Sequence, residues 1–279
     1  MTYRECYEYG QKALKSAGVP EAETDARLLL EFVCHTDRNV LLAHGDREVA
    51  AEEMGAYEEM IQKRSLRIPL QQLTGIQNFM GLDFFVNDRV LIPRQDTEIL
   101  VEEVLKYLHD GMRVLDMCTG SGCILVSILH YSNECYGVGA DIAEDALAVA
   151  GINAKELLSG SDRYEFIQSN LFEKISGQFE VIVSNPPYIE RKVIESLMPE
   201  VKDHEPLNAL DGGEDGLDFY RTIVKDGVKH LCGGGMLFLE IGYNQGDAVR
   251  ALMENAGFVE VTVLQDYGGL DRVVYGIWL

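Results

Sequence analysis

Four stretches with helical signals open the chain. Tyr3 to Ala17 is closed by Gly18, Pro20 opens a second that runs through Arg27-Leu28-Leu29-Leu30 to Cys34, a short piece follows Asp37, and a longer one extends from Glu48 to about Ser65. Together they predict a small helical bundle whose Leu, Val and Met residues form a core, a type of scaffold that also presents apolar grooves to partners. The pattern changes at Gly75. Phe84-Phe85-Val86, the polar pair Asn87-Asp88 and Arg89-Val90-Leu91-Ile92 predict two strands joined by a turn. Pro93 ends this stretch, and Asp96 or Thr97 is placed to cap a helix running through Ile99-Leu100 to Leu108.

From Arg113 onward short apolar runs alternate with helical segments. The predicted strands are Val114 to Met117, Cys135 to Ala140, Tyr164 to Gln168, Val181 to Ser184, Met236 to Ile241, Val259 to Leu264 and Arg272 to Trp278. Repeated strand-helix units imply a doubly wound, mostly parallel sheet, an α/β fold. The loop Gln265 to Asp271 is too short for a helical crossover, so the last two strands should be antiparallel. The expected organisation is a helical bundle over residues 1–74, a β-hairpin linker over 75–93 and an α/β domain over 94–279.

Composition narrows the function classes. The chain has 279 residues, 47% of them hydrophobic, enough for a substantial core and two domains. No apolar run reaches membrane-spanning length, and Met1-Thr2-Tyr3-Arg4-Glu5 lacks the basic-then-apolar order of a signal peptide, so a cytoplasmic protein without a membrane partner is expected. Cys6, Cys34, Cys118, Cys123, Cys135 and Cys232 include no Cys-x-x-Cys pair, and they read as buried thiols rather than disulfides or metal ligands. A net charge of -22 argues against direct binding of nucleic acid, because displacing counterions from phosphates needs a basic surface. Lys63-Arg64 and Arg67 read as a solvated helix face.

The chemistry concentrates at the ends of predicted strands. After Val181-Ile182-Val183-Ser184 comes Asn185-Pro186-Pro187-Tyr188. Two prolines fix φ and remove two N–H donors, leaving the Pro186 carbonyl and the Asn185 side-chain oxygen as acceptors. Such a pair suits a planar –NH2, holding both hydrogens while the nitrogen turns toward an electrophile; the alternative is a proline turn ending a strand.

Upstream, Val114-Leu115-Asp116-Met117 runs into Cys118-Thr119-Gly120-Ser121-Gly122 and an apolar helix, a nucleotide-type cofactor loop. The third glycine of a dinucleotide fingerprint is replaced by Leu125, which favours S-adenosyl-L-methionine over a nicotinamide cofactor. Asp141, ending Gly137-Val138-Gly139-Ala140, is placed either to accept ribose hydroxyls or to cap the following helix.

With these residues the chain resembles the S-adenosylmethionine-dependent methyltransferases that modify glutamine in peptide chain release factors, the PrmC or HemK type. Further matching segments are Arg89 to Arg94 with Thr97-Glu98, Glu205-Pro206, Ala209-Leu210, Gly212-Gly213, Asp215-Gly216-Leu217 and Leu239-Glu240-Ile241-Gly242. The Asn-Pro-Pro-Tyr tetrapeptide marks a broad group of amino-group methyltransferases, while Ile92-Pro93-Arg94 and Gly212 to Leu217 point to the glutamine branch.

The resemblance implies a class I methyltransferase sheet of seven strands, S-adenosyl-L-methionine as cofactor and class I release factors as partners. It implies that Asn185, Pro186 and Tyr188 are catalytic, and that Asn185, Pro186, Pro187 and Tyr188 hold the substrate amide. Cys118, Thr119, Gly120, Ser121, Gly122, Asp141, Leu171 and Asn185 are then the cofactor-binding residues. The family usually has glycine where Cys118 stands, an aromatic at Leu171 and an acid at Asn170. Competing expectations are a ribosomal-protein glutamine, an amino group of DNA or RNA, or cofactor binding without catalysis.

Overall fold

The computed structural model describes all 279 residues as two compact units, Met1–Ile76 with Met198–His204, and Gln77–Leu197 with Glu205–Leu279. No helix is long and apolar enough to cross a membrane.

The first unit holds α1 (Tyr3–Ser16), α2 (Ala22–Val33), α3 (Arg38–Ala43), α4 (Ala51–Ser65) and α5 (Leu70–Thr74). Helix α1 starts where Thr2 and Glu5 satisfy each other's backbone N–H, a reciprocal cap. Asp37 accepts from Asn39 N and Val40 N to start α3. Tyr3, Cys6, Leu14, Leu29, Leu30, Tyr57 and Ile61 form the core, and the buried Tyr57 hydroxyl donates to the Ala26 carbonyl at 3.0 Å.

Met198–His204, distant in sequence, completes this unit. Arg64, which the charge pattern places on a solvated face, is 5% exposed. Its Nε donates to Asp25 Oδ2 at 2.7 Å and its Nη2 to Glu200 Oε1 at 2.8 Å, while Arg67 Nε reaches the same oxygen at 2.7 Å. Gln72 Nε2 donates to the His204 carbonyl at 2.8 Å. The acid that draws Arg64 inward stands 136 residues away, beyond any local charge pattern.

In the second unit β1 (Ile76–Phe79) and β2 (Leu82–Phe85) form a separate two-stranded sheet. Phe84-Phe85 falls in β2 as the alternation predicts, but its partner is β1, upstream, and Arg89 to Ile92 forms no strand. The turn is Met80-Gly81, with φ of 52° and 73°, the doubly positive geometry that matches the twist of a two-residue hairpin. Asn87 does make a turn, accepting from Arg89 N at 2.9 Å, but its flanks are irregular. Phe79 and Phe84 are buried in the core of this unit, and Asn153 Oδ1 and Nδ2 pair with both backbone groups of Phe85.

The main sheet comprises β3 (Arg113–Met117), β4 (Tyr136–Asp141), β5 (Tyr164–Gln168), β6 (Phe179–Ser184), β7 (Leu231–Glu240), β8 (Val259–Gln265) and β9 (Asp271–Ile277), in the order β5-β4-β3-β6-β7-β9-β8. Only β9 runs antiparallel to its neighbours. This is the α/β class I methyltransferase arrangement, seven strands and mostly parallel.

Strand β7 begins five residues before the predicted Met236, because Leu231 pairs with Phe179 ahead of a bulge at the glycine run Gly233 to Gly235, where Gly234 takes φ 82°, before Met236 pairs with Val181. Helices α6 (Glu98–Tyr107), α7 (Cys123–Tyr131) and α8 (Glu144–Leu157), with Asp218–Gly227 and Gly246–Ala256, supply apolar cover for two cores. Strand order reverses beside β3, so β3, β4 and β6 all end at the topological switch point where open α/β sheets bind ligands.

Candidate active site

A cavity of about 520 Å³ lies at these strand ends. Of the residues singled out from sequence, Cys118, Gly120, Asp141, Leu171, Asn185 and Pro187 border it. Val90 and Leu91 of the Arg89 to Arg94 segment add walls, and so do Ala146 and Asn208, which the motifs do not announce.

The loop after β3 turns through positive φ at Cys118 (63°), Gly120 (54°) and Gly122 (78°). Cys118 therefore occupies the left-handed conformation that its replacement of a glycine argues against, and burial pushes its thiol pKa far up, which makes it inert. Thr119, Ser121 and Gly122 do not border the cavity. Thr119 N donates to the Ala140 carbonyl, its hydroxyl to Asp116 Oδ2 at 2.6 Å, and Gly122 N to the Thr119 carbonyl. A Cβ on Gly122 would stand 3.1 Å from that of Ala150, so this glycine serves the approach of α7 to α8. Several backbone donors of the loop are thus spent inside the protein rather than offered to a ligand. Gly120 N is spent as well, on Asp141, but nothing stands within 4 Å of where a Gly120 Cβ would be, so open space borders this residue.

Asp141 is held on both oxygens, Oδ2 accepting from Gly120 N and Oδ1 from Ala143 N, each at 2.9 Å. It does not cap α8, whose N-cap is Ala143. Each carboxylate oxygen has further acceptor capacity, and burial raises the carboxyl pKa against the opposing backbone bonds. Below the loop, Asp116 is fully buried, its Oδ1 has no hydrogen-bond partner, and burial raises its pKa to about 7. Leu171 (φ 47°) opens a short 3-10 turn that the Ser169 hydroxyl fastens by donating to its carbonyl at 2.6 Å.

The Asn-Pro-Pro-Tyr segment leaves β6 as expected. Asn185 is half-buried, and its Nδ2 donates to Thr97 Oγ1 at 3.3 Å. Thr97 makes no side-chain cap to α6; its hydroxyl is turned to Asn185 instead. Pro186 is buried, and Tyr188 is partly buried, with its phenol pushed up to about 12 by burial.

The exit of the segment is clamped. Ile189 N donates to the Leu210 carbonyl, Gly212 N to the Ile189 carbonyl and Arg191 N to the Gly213 carbonyl. Gln245, 6% exposed and unannounced by any motif, donates from Nε2 to the Tyr188 and Gly216 carbonyls at 3.0 and 3.2 Å and accepts from Gly242 N at 2.8 Å. A Cβ on Gly216 (φ 75°) would meet the Tyr188 carbonyl oxygen at 2.5 Å and Gln245 Nε2 at 2.7 Å. Gly216→Ala should therefore cost at least about 1–2 kcal/mol of stability, from the left-handed backbone and the overlap together, and should lower turnover by moving Tyr188. Chemical denaturation checks the first effect and a methylation assay the second.

Glu205 anchors the opposite wall. Its carboxylate accepts from Arg94 Nη2 at 2.7 and 2.6 Å and from Ile92 N at 3.4 Å, fixing the Val90–Leu91 strip of the cavity.

Comparison with known proteins agrees with this fold. Residues 5–75 match the family model described as PrmC N-terminal domain and residues 94–201 that of the methyltransferase small domain. A release factor glutamine methyltransferase of Clostridium acetobutylicum is 42% identical over 91% of this chain and 90% of its own. One of Geobacter sulfurreducens is 40% identical over 99% and 96%. A solved methyltransferase of Pyrococcus furiosus, 17% identical, shares the fold with a TM-score of 0.54 over 71% of this chain and 89% of that one. Near full-length similarity at about 40% identity settles the kinship: the chain belongs to the release factor glutamine methyltransferase family.

Proposed function

We propose that this protein transfers the methyl group of S-adenosyl-L-methionine to N5 of the glutamine in the Gly-Gly-Gln segment of class I peptide chain release factors, in the cytoplasm. The observation that carries the reading is the fixed Asn185 at the rim of the cavity, its Nδ2 taken by Thr97 so that Oδ1 is left as an acceptor.

The residues present fit the cofactor. The cavity lies within the roughly 300–1,000 Å³ usual for ligand sites, Gly120 leaves open space on its wall, Asp141 has acceptor capacity to spare, and Asp116 Oδ1 is a buried orphan beneath it. Asp141 and the Cys118–Gly120 turn would hold the ribose and methionine side, and Leu171 would border the base. When bound, S-adenosyl-L-methionine supplies an electrophilic methyl group on a sulfonium sulfur.

The chain's own part is positioning and charge. An amide nitrogen is a poor nucleophile that becomes cationic as it is alkylated. Acceptors aimed at its two hydrogens, Asn185 Oδ1 and the Pro186 carbonyl, therefore gain strength as the barrier is climbed, and no prior deprotonation is needed. Tyr188 walls the amide pocket. The helical unit, which carries none of this chemistry, is the substrate-docking element, since one glutamine among many needs recognition beyond the pocket.

Asp141→Asn should weaken S-adenosyl-L-methionine binding by about 1.5–3 kcal/mol, the worth of a hydrogen bond to a charged group. Unchanged affinity by calorimetry would leave Asp141 as a brace for Gly120 and Ala143 only. The function itself is tested by incubating the protein with labelled S-adenosyl-L-methionine and an intact release factor and locating the label by mass spectrometry. Label on the Gly-Gly-Gln glutamine supports the reading, and a factor left unlabelled, while the same protein methylates another component of a cell extract, refutes it.

A further inference from the structure

Parallel pairing of β6 with β7 sets Ser184 opposite Leu239, so Asn185 and Glu240 occupy adjacent positions at two neighbouring strand ends. Glu240 is 1% exposed, and its Oε2 has no hydrogen-bond partner. A buried carboxyl with an unpartnered oxygen costs stability, and a fold that needed only packing here would place an apolar side chain. The side chains of Thr97 and Asn185 lie close enough to stabilise its charged form.

An asparagine amide is nearly symmetric in shape, and only its surroundings decide which end faces a substrate. Here Nδ2 donates to Thr97 Oγ1. That hydroxyl accepts from Asn185 and is free to donate onward, and Glu240 is the acid beside it. We infer that Glu240 is a positioning residue for methyl transfer: as a carboxylate it accepts from the Thr97–Asn185 pair, locks Asn185 with Oδ1 toward the substrate amide, and places a negative charge behind that oxygen. A protonated Glu240 would itself be a donor and would release the lock.

The charged and titratable groups around it define the pH dependence. Arg272 is committed to Asp266 at 3.0 Å and to Asp96 at 3.3 Å, and acts on Glu240 as a nearby cation while Asp96 acts as an anion. Tyr188 and Cys123 are pushed up to about 12 by burial and Tyr220 well above its usual value, so none of the three titrates near neutrality. Burial raises Glu240 to about 7, against the opposing influence of Thr97 and Arg272. Because the competent form is the carboxylate, kcat should rise with pH through that region. Asp116, also raised to about 7, lies on the cofactor side and would act on cofactor KM instead.

This inference rests on the amide-methylating reading, and wild-type transfer to the release factor, run alongside, tests that reading separately. The experiment compares wild type, Glu240→Gln and Glu240→Asp at saturating cofactor and factor between pH 5.5 and 9. Gln should lower kcat by between about 10- and 100-fold, part of the loss expected for removing the acceptor itself. It should leave cofactor affinity and melting temperature near wild type and abolish the rise of kcat through neutrality. Asp should restore that rise and part of the rate. If Gln keeps the wild-type kcat, or loses rate while keeping the same acid limb, Glu240 does not position Asn185 by its charge and the inference is wrong.

Discussion

Asn185→Ala should lower kcat by about 10²–10³-fold, roughly 2.7–4 kcal/mol, the usual cost of removing one pre-positioned partner of a developing charge. The effect is this large because the proposed mechanism gives the substrate amide two acceptors, and Asn185 is the one whose direction is set by a neighbour, Thr97. Affinity for S-adenosyl-L-methionine should change far less, since Cys118, Gly120, Asp141 and Leu171 border the same cavity independently. Single-turnover methylation of the release factor, with calorimetric titration of the cofactor, separates the two quantities. Wild-type turnover in the variant would remove Asn185 from the mechanism.

Much of this site is legible in the chain because each functional group sits immediately after an apolar strand, and strands buried on both faces are the easiest elements to read. Asp141 and Asn185 are placed at the cavity that way. What escapes is of a different kind. Thr97 looks like a helix cap because Ser and Thr at helix starts usually are, and only the packed fold shows its hydroxyl turned to Asn185. Gln245 acts through backbone groups distant in sequence, and no spacing rule reaches it, and the pairing of Glu205 with Arg94, 111 residues apart, is equally beyond local pattern. The Met80-Gly81 turn is concealed because methionine seldom adopts positive φ, whereas Asn87-Asp88 advertises a turn and supplies a lesser one. Cys118 errs in the same direction, a non-glycine residue in a left-handed position that the fold imposes.

The second large effect is on stability. Arg64→Ala should destabilise the protein by about 3–5 kcal/mol, because it strips the partner from a buried Asp25 and one of two partners from Glu200. Burial raises the Asp25 carboxyl pKa, whereas at Glu200 the bonds from Arg67 and Arg64 outweigh burial and hold the carboxyl down at about 2. A depressed carboxyl contributes stability that is full above its unfolded value, 4.5, and is lost as pH falls from there towards about 2. Wild type should therefore lose its advantage over the variant across that acid window. Urea unfolding midpoints with an unchanged m-value check both statements. A midpoint within experimental scatter of wild type at pH 7 would mean that Arg64 is replaceable by water.

Glu200 also sets a timetable. Domains commonly fold in the order in which the ribosome delivers them, and Met1–Ile76 emerges first. Arg64 and Arg67 nevertheless wait for an acid synthesised more than 130 residues later, after β3, β4, β5, β6 and the Asn185–Tyr188 hook have left the ribosome. The bundle, first to be made, is among the last parts to be finished. A nascent chain stalled before Met198 would carry the Asn185–Tyr188 segment already and a helical unit still missing its anchor, so the two reach their final form in the reverse of their order along the chain.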